Sequence, residues 1–417
     1  MILLARNRNY RLLFSSSAVS NLGDGIAALA FPWLATLITR DATLIAAVAA
    51  ATRLPWLLFA LPAGVITDQF DRRRLIFMAD ILRTAITLGV IGLILSSPPL
   101  PLADTAPNAF TLIAGLCAAA FLIGSAEVIR DNAAQTVLPS IVDKSDLEKA
   151  NGQMWSVEQI MGQFIGPPVA GLLIALAVPL PFAVNAATFA VAAWCLWLVS
   201  MSPRMKITLP NGFFAQLTEG FVWMKSHPLI LQLALILGII NFLVMMSATI
   251  LVLLSQEIMG LTAAGHGLLL TAGAIGGVAG GMFGPAIASR LGSQRTVLCA
   301  VAIFPIPLII LAFTSNPYIA AFALFLEMFS GMVWNVVTVS LRQRLIPDSL
   351  LGRVNSIYRF FGWGTIPIGA IFAGFLVSTL EEPLGREMAL RAPYIFAAIS
   401  CTVLMLYCFG KLRFPKP

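Results

Sequence analysis

The stretch Leu12–Leu37, LLFSSSAVSNLGDGIAALAFPWLATL, is apolar enough to cross a bilayer, yet Asp24 stands between two glycines near its centre. A carboxylate in hydrocarbon costs at least about 2.5–3.5 kcal/mol on insertion scales, so its presence marks a functional position. At about 1.5 Å per residue it lies ~18 Å into the span, close to the middle of a membrane. A desolvated carboxylate also holds a proton more readily than one in water. Asp24 is therefore a candidate proton-coupling and substrate-contact group. The plainer alternative is helix packing, with Gly23 and Gly25 easing contact.

Composition extends this reading along the chain. Of 417 residues 59% are hydrophobic and only 11% charged, and the mean hydropathy is +0.90. Soluble domains carry roughly 25% charged residues, so this chain could not hide its apolar surface in water. Dividing the apolar runs at their Pro, Gly and charge breaks gives twelve expected spans. They cover residues 12–39, 43–67, 75–97, 109–130, 153–177, 180–201, 229–256, 263–288, 296–315, 318–341, 360–380 and 392–410. Runs this long favour helices over barrel strands, which alternate over ~10 residues. The expected fold class is an all-α membrane protein.

Of the 26 Lys and Arg residues, 21 fall on the side of the membrane that carries the N-terminus, including Arg6, the Arg72–Arg74 triplet and Lys411. Positive residues mark cytoplasmic loops, so both termini are expected in the cytoplasm. The net charge of +7 is then a topology signal rather than a nucleic-acid footprint. The five cysteines show neither disulfide nor metal spacing. The opening MILLARNRNY lacks a small-residue cleavage site, so the first span is expected to persist in the mature protein.

The most polar long segment, residues 202–228, follows the sixth span at the chain's midpoint. Within it Phe214, Leu217, Phe221 and Met224 recur at helical spacing, predicting a surface helix over Phe213–Met224. The domain reading is two six-helix bundles, 1–201 and 229–417, joined by this linker. The bundles share a pattern. Asn21 and Gly64 match Asn241 and Gly284 at an offset of 220, QTVLP from Gln135 matches QRLIP from Gln343, and GPPVAGLL from Gly166 matches GAIFAGFL from Gly369. Such duplication in transporters puts the substrate site between the halves.

Two segments carry a family resemblance. Gly64-Val-Ile-Thr-Asp68-Gln-Phe-Asp71-Arg72-Arg73-Arg74 is similar to the signature loop between the second and third helices of the major facilitator superfamily. That pattern has a glycine, an acid four residues on, another glycine three further, then a basic pair. Asp71 stands in place of the second glycine, as in siderophore-exporter-like members. Gly162-Gln-Phe-Ile-Gly166-Pro167-Pro168-Val-Ala-Gly171 in the fifth span resembles the glycine–proline motif of the superfamily's exporters. Physically, spaced glycines smooth a helix face, while prolines remove backbone donors and bend the helix.

Met78–Arg83, Leu138–Asn151 and Leu351–Ser356 narrow the resemblance to drug:proton antiporters, including macrolide exporters, multidrug pumps and enterobactin-type siderophore exporters. It covers nearly the whole chain. It implies two pseudo-symmetric bundles in the major facilitator fold and alternating access. It also implies gate or conformational roles for Gly64, Asp68, Arg72, Arg73, Asp131, Gly162, Gly166, Pro167 and Gly171. The fourth span lacks the mid-helix arginine of other drug antiporters.

Further charges sit where a membrane should exclude them. Glu327 in the tenth span is a candidate proton or cation site, and Glu158 in the fifth a proton relay or gate partner. Arg53, midway along the second span, is expected to pair with Asp24. Asp80 and Arg83, spaced i, i+3, can pair with each other. Asp131 is placed to meet Arg72 or Arg73. Asn241, Trp334 and Asn335 complete the expected substrate cavity with Asp24, Arg53 and Glu327.

No phosphate-binding P-loop or nucleophile–base pairing is present, which argues against ATP as energy source and against an enzyme. The expected function is export of amphipathic small molecules by proton antiport, without cofactor or metal, by a monomer in the cytoplasmic membrane of a bacterium. The alternatives are a dedicated siderophore or lipid exporter or facilitator, and a non-transporting membrane sensor or scaffold.

Overall fold

The computed structural model describes residues 2–102, 108–143, 146–200 and 213–414. Among these no strand occurs. Twelve spans emerge: Arg8–Ile38, Ala42–Gln69, Arg72–Ser96, Ala109–Ile141, Lys149–Leu176, Leu180–Trp197, Pro228–Ile258, Ala263–Leu291, Ser293–Phe313, Pro317–Leu345, Arg353–Leu384 and Arg386–Lys411. Several run one to three turns past the apolar stretch into polar flanks. Side-chain caps help to set the ends. Asn7 accepts from the Tyr10 amide at the start of the first span. Asp71 accepts from the Arg74 amide at 2.9 Å and caps the third. An acid suits that position because it satisfies an orphan donor at a helix N-terminus, which accounts for the departure from the glycine of the signature loop.

The fifth span changes pitch. Leu147–Glu158 and Gly166–Leu176 are α-helical, but Gln159–Ile165 between them is π-helical, with the Gly166 amide reaching back to the Met161 carbonyl. Pro167 and Pro168 have no N–H to give to carbonyls one turn back, and the wider turn upstream accommodates that loss.

The chain forms two compact units. The first comprises Met1–Arg40, Ala47–Thr208 and Thr262–Thr271, and the second Asp41–Ala46, Leu209–Leu261 and Ala272–Pro417. Inside the first, the first span packs on the fourth, fifth and sixth, and the third span on the fourth and sixth. The opening turns of the eighth span belong here: a Cβ on Gly267 would stand 2.7 Å from the Pro167 carbonyl oxygen. Inside the second unit, the seventh span packs on the eleventh and twelfth, and the ninth on the tenth and twelfth. The glycine run of the eighth span lies on the tenth, where a Cβ on Gly280 would meet the Phe329 carbonyl oxygen at 2.5 Å. Such close backbone approach is the usual use of small residues between membrane helices.

Of the linker expected over 202–228, residues up to 212 lie outside those described. Phe213–Ser226 is helical, and its Glu219 pairs with Arg353 at the start of the eleventh span.

Candidate functional site

The glycines around Asp24 fix its surroundings within the first unit. Gly23 faces the sixth span, where a Cβ would collide with Thr188 and Asn185. Gly25 faces the fifth, where a Cβ would collide with the carbonyl of Gly162. Reciprocally, a Cβ on Gly166 would stand 2.5 Å from the Gly25 Cα. The two segments singled out in the sequence, Gly23–Gly25 and Gly162–Gly166, therefore meet backbone to backbone. Glycine on both sides is the condition for that contact.

Held between these neighbours, the Asp24 side chain reaches the third span and pairs with Arg83. Asp24 keeps 25% of its side chain exposed, whereas Arg83 is fully buried. The Arg83 guanidinium also donates to Ser20 Oγ at 3.0 Å, lies 3.5 Å from Asp80 and stacks over the Phe189 ring at 3.8 Å. Asp80, fully buried, accepts from Arg130 Nε at 3.0 Å. Arg130 closes the series on Asp131 at 3.3 Å and on the Ser16 carbonyl at 3.4 Å. Charges of alternating sign thus run Asp24, Arg83, Asp80, Arg130, Asp131 through three spans. Each offsets part of its neighbour's desolvation, which for a lone ion amounts to several kcal/mol.

Two sequence expectations give way to this arrangement. Asp24 pairs with Arg83, and Arg53 is exposed and makes no pair with Asp24. Asp131 pairs with Arg130 rather than Arg72 or Arg73. The reason is reach: the third and fourth spans bring their own arginines to these acids. Arg72 instead donates to the Thr136 carbonyl at 3.0 Å, and Arg73 to the Trp197 carbonyl, with its guanidinium over that indole. Both tie the N-terminal end of the third span to its neighbours. The Asp80–Arg83 pair exists at 3.5 Å, but the closer partner of Asp80 is Arg130.

The remaining candidates scatter. Glu158 is exposed and sits at the junction with the π-helical turn. In the second unit Glu327 is only 3% exposed, with Tyr394 and Cys401 of the twelfth span within electrostatic reach. Trp334 is 2% exposed, with its Nε1 lacking a hydrogen-bond partner among the described residues. Asn335 is exposed, while Asn241 donates to the Gly362 carbonyl at 2.8 Å. Gly171 packs against Ala263 and Ala264. The side chains of Gly64 and Asp68 lie outside those described. No cluster of His, Cys, Asp or Glu among the described residues has metal-holding geometry.

The two halves repeat a contact as well as a sequence. Gly166 of the fifth span lies on the first span at Gly25, and its match Gly369 of the eleventh lies on the seventh at Phe242. The family model described as transmembrane secretion effector matches residues 4–409.

The chain belongs to the major facilitator superfamily.

Within that superfamily it is 25% identical to the multidrug efflux pump Tap of Mycobacterium tuberculosis, over 96% of this chain and 93% of the pump. It is 23% identical to the enterobactin exporter EntS of Salmonella choleraesuis, over 99% of this chain and 94% of the exporter. The crystal structure of the nucleoside transporter NupG superposes with a TM-score of 0.76 at 11% identity, over 96% of this chain and 99% of that one. The chain is thus a multi-pass membrane transporter with the superfamily's all-α, twelve-span fold, and its relatives are transporters rather than enzymes.

Proposed function

We propose that this transporter exports amphipathic small molecules, lipophilic cations among them, in exchange for protons by alternating access. One observation carries the reading. Asp24, mid-way along the first span and a quarter exposed, is paired with a fully buried arginine. A cation that approaches Asp24 competes with Arg83 for the carboxylate, and protonation in the same charge series biases that competition. The 25% identity with Tap supports a drug-like substrate. Glu158 and Glu327 are additional coupling candidates, and Gly64, Asp68 and Arg72 are assigned to the gate. The protein is placed in the cytoplasmic membrane with both termini inside, acts as a monomer, and draws on the proton gradient alone.

Dye efflux tests this reading. Purified protein in vesicles should move ethidium when a pH gradient is imposed and stop when the gradient is collapsed. Movement that ignores the gradient would leave a facilitator. A second reading, a dedicated siderophore exporter, rests on the 23% identity with EntS. It would be favoured if a catecholate siderophore, and no cationic dye, stabilised the protein against heat.

A further inference from the structure

The charge series around Asp24 is not balanced. Five acids, Asp24, Asp80, Asp131, Glu127 and the exposed Glu158, stand in one electrostatic neighbourhood of the first unit with three arginines, Arg83, Arg130 and the exposed Arg53. Carboxylates are in excess, and a low-dielectric interior tolerates an uncompensated charge poorly. Proton uptake reduces the excess.

The hydrogen bonds identify which acid is free to take a proton. Asp24, Asp80 and Asp131 each accept from an arginine, although Asp80 keeps its Oδ2 buried without a partner among the described residues. Glu127, half-buried on the fourth span, makes no hydrogen bond or ion pair among the described residues. Within electrostatic reach of it are Arg83 of the third span, Arg53 of the second, Arg130 and Asp131 of its own helix, and Glu158 of the fifth span. Asp24 of the first span holds Arg83. Arg83 in turn has a fully buried Nε with no acceptor. A guanidinium with an unused donor thus holds one carboxylate and is within electrostatic reach of a second that it does not hold.

We infer that Glu127 is the group that binds the coupling proton, and that Arg83 moves between Glu127 and Asp24 as that proton comes and goes. The inference rests on the antiport reading above. With Glu127 protonated, Arg83 stays on Asp24, the arrangement seen here, and a bound cation is displaced. When Glu127 gives its proton to water, the anion draws Arg83 away and Asp24 is left for the substrate cation. One proton is taken up at a Glu127 oxygen for each return of Arg83 to Asp24.

Infrared difference spectroscopy of the full-length protein between about pH 8.5 and about pH 5.5 tests this directly, in a range that brackets carboxylates titrating in partly desolvated sites. Wild type should gain a protonated-carboxyl band on acidification. Glu127→Gln should delete one component of the band, and Asp24→Asn should leave that component in place. Glu127→Asp should retain it at a shifted position, which keeps the test valid if the glutamine variant does not fold. Ethidium binding adds a second arm: Glu127→Gln should bind about tenfold more weakly than wild type at high pH, the scale of one charged contact. Arg83→Gln should bind with no pH dependence. A band unchanged by Glu127→Gln overturns the inference while leaving antiport intact if dye efflux still follows the gradient. A band lost in Glu127→Gln alongside gradient-independent efflux by the wild type would refute antiport and keep Glu127 as a proton site.

Discussion

Gly25 and Gly166 touch through their main chains, so neither position can gain a side chain without parting the first and fifth spans. Gly166→Ala should therefore lower both thermal stability and transport. The expected cost is about 1–3 kcal/mol, the usual range for overpacking. Gly152→Ala is the control, since nothing lies within 4 Å of a Cβ there, and it should fall within about 0.5 kcal/mol of wild type. Unfolding in detergent and dye efflux measure the pair. Equal effects of the two substitutions would contradict the contact.

The Asp24–Arg83 pair makes a coupled statement about stability. Asp24→Asn leaves the fully buried guanidinium only Asp80, at 3.5 Å, as a carboxylate partner, at a cost of up to about 3–5 kcal/mol. Adding Arg83→Gln should recover a substantial part of that loss, because the guanidinium that Asp24 held is then gone as well. A double variant as unstable as the sum of the singles would show that the two side chains do not act on each other.

Substrate binding should carry a pH dependence of defined sign. Protonation within the charge series returns Arg83 to Asp24, so ethidium affinity in wild type should fall as pH drops. In Asp24→Asn the contested carboxylate is gone, and the affinity should be flat between about pH 5.5 and 8.5. Titration of ethidium fluorescence on the two proteins provides the measurement. A wild-type profile in the variant would move the competition to Glu158 or Glu327.

Glu327 lies in the other unit and is almost entirely enclosed. Glu327→Gln deletes a charge at little cost in shape, so it should weaken ethidium more than the neutral dye N-phenylnaphthylamine. Equal weakening of both would assign Glu327 to packing.

Asp68→Asn should abolish or strongly reduce efflux while substrate affinity stays within a few fold of wild type, because the resemblance puts this acid in the gate. Loss of affinity with conformational exchange intact would contradict that assignment.

Much of the fold is legible in the amino-acid sequence, because span length is set by bilayer thickness and a charge inside a span is costly. Asp24 stands out for that reason, and the glycines of Gly162–Gly171 for their spacing. Their meeting is not legible, since it depends on which faces of two distant helices turn toward each other. Arg83 shows the limit best. Its i, i+3 spacing from Asp80 reveals a local pair, but its bond to Asp24 joins residues 59 positions apart. Sequence spacing carries no such information. Glu127 is visible as an intramembrane acid, yet its role follows from the partners that the other acids already hold. Arg53 misleads because it shares the depth of Asp24 in the sequence, yet it is exposed and the buried Arg83 takes the acid.

The π-helical turn at Gln159–Ile165 makes the fifth span tolerant of a change in chain length at that one place. It accommodates one residue more than an ordinary helix of the same rise would. Deleting one residue there would let regular winding resume and leave Gly166, Pro167 and Gly171 facing their present neighbours. The same deletion in the regular helix on either side would rotate everything beyond it by roughly 100°. Relatives that lack the extra residue should therefore place their small side chains one step along, so equivalence in this segment has to be judged by facing direction rather than by position number.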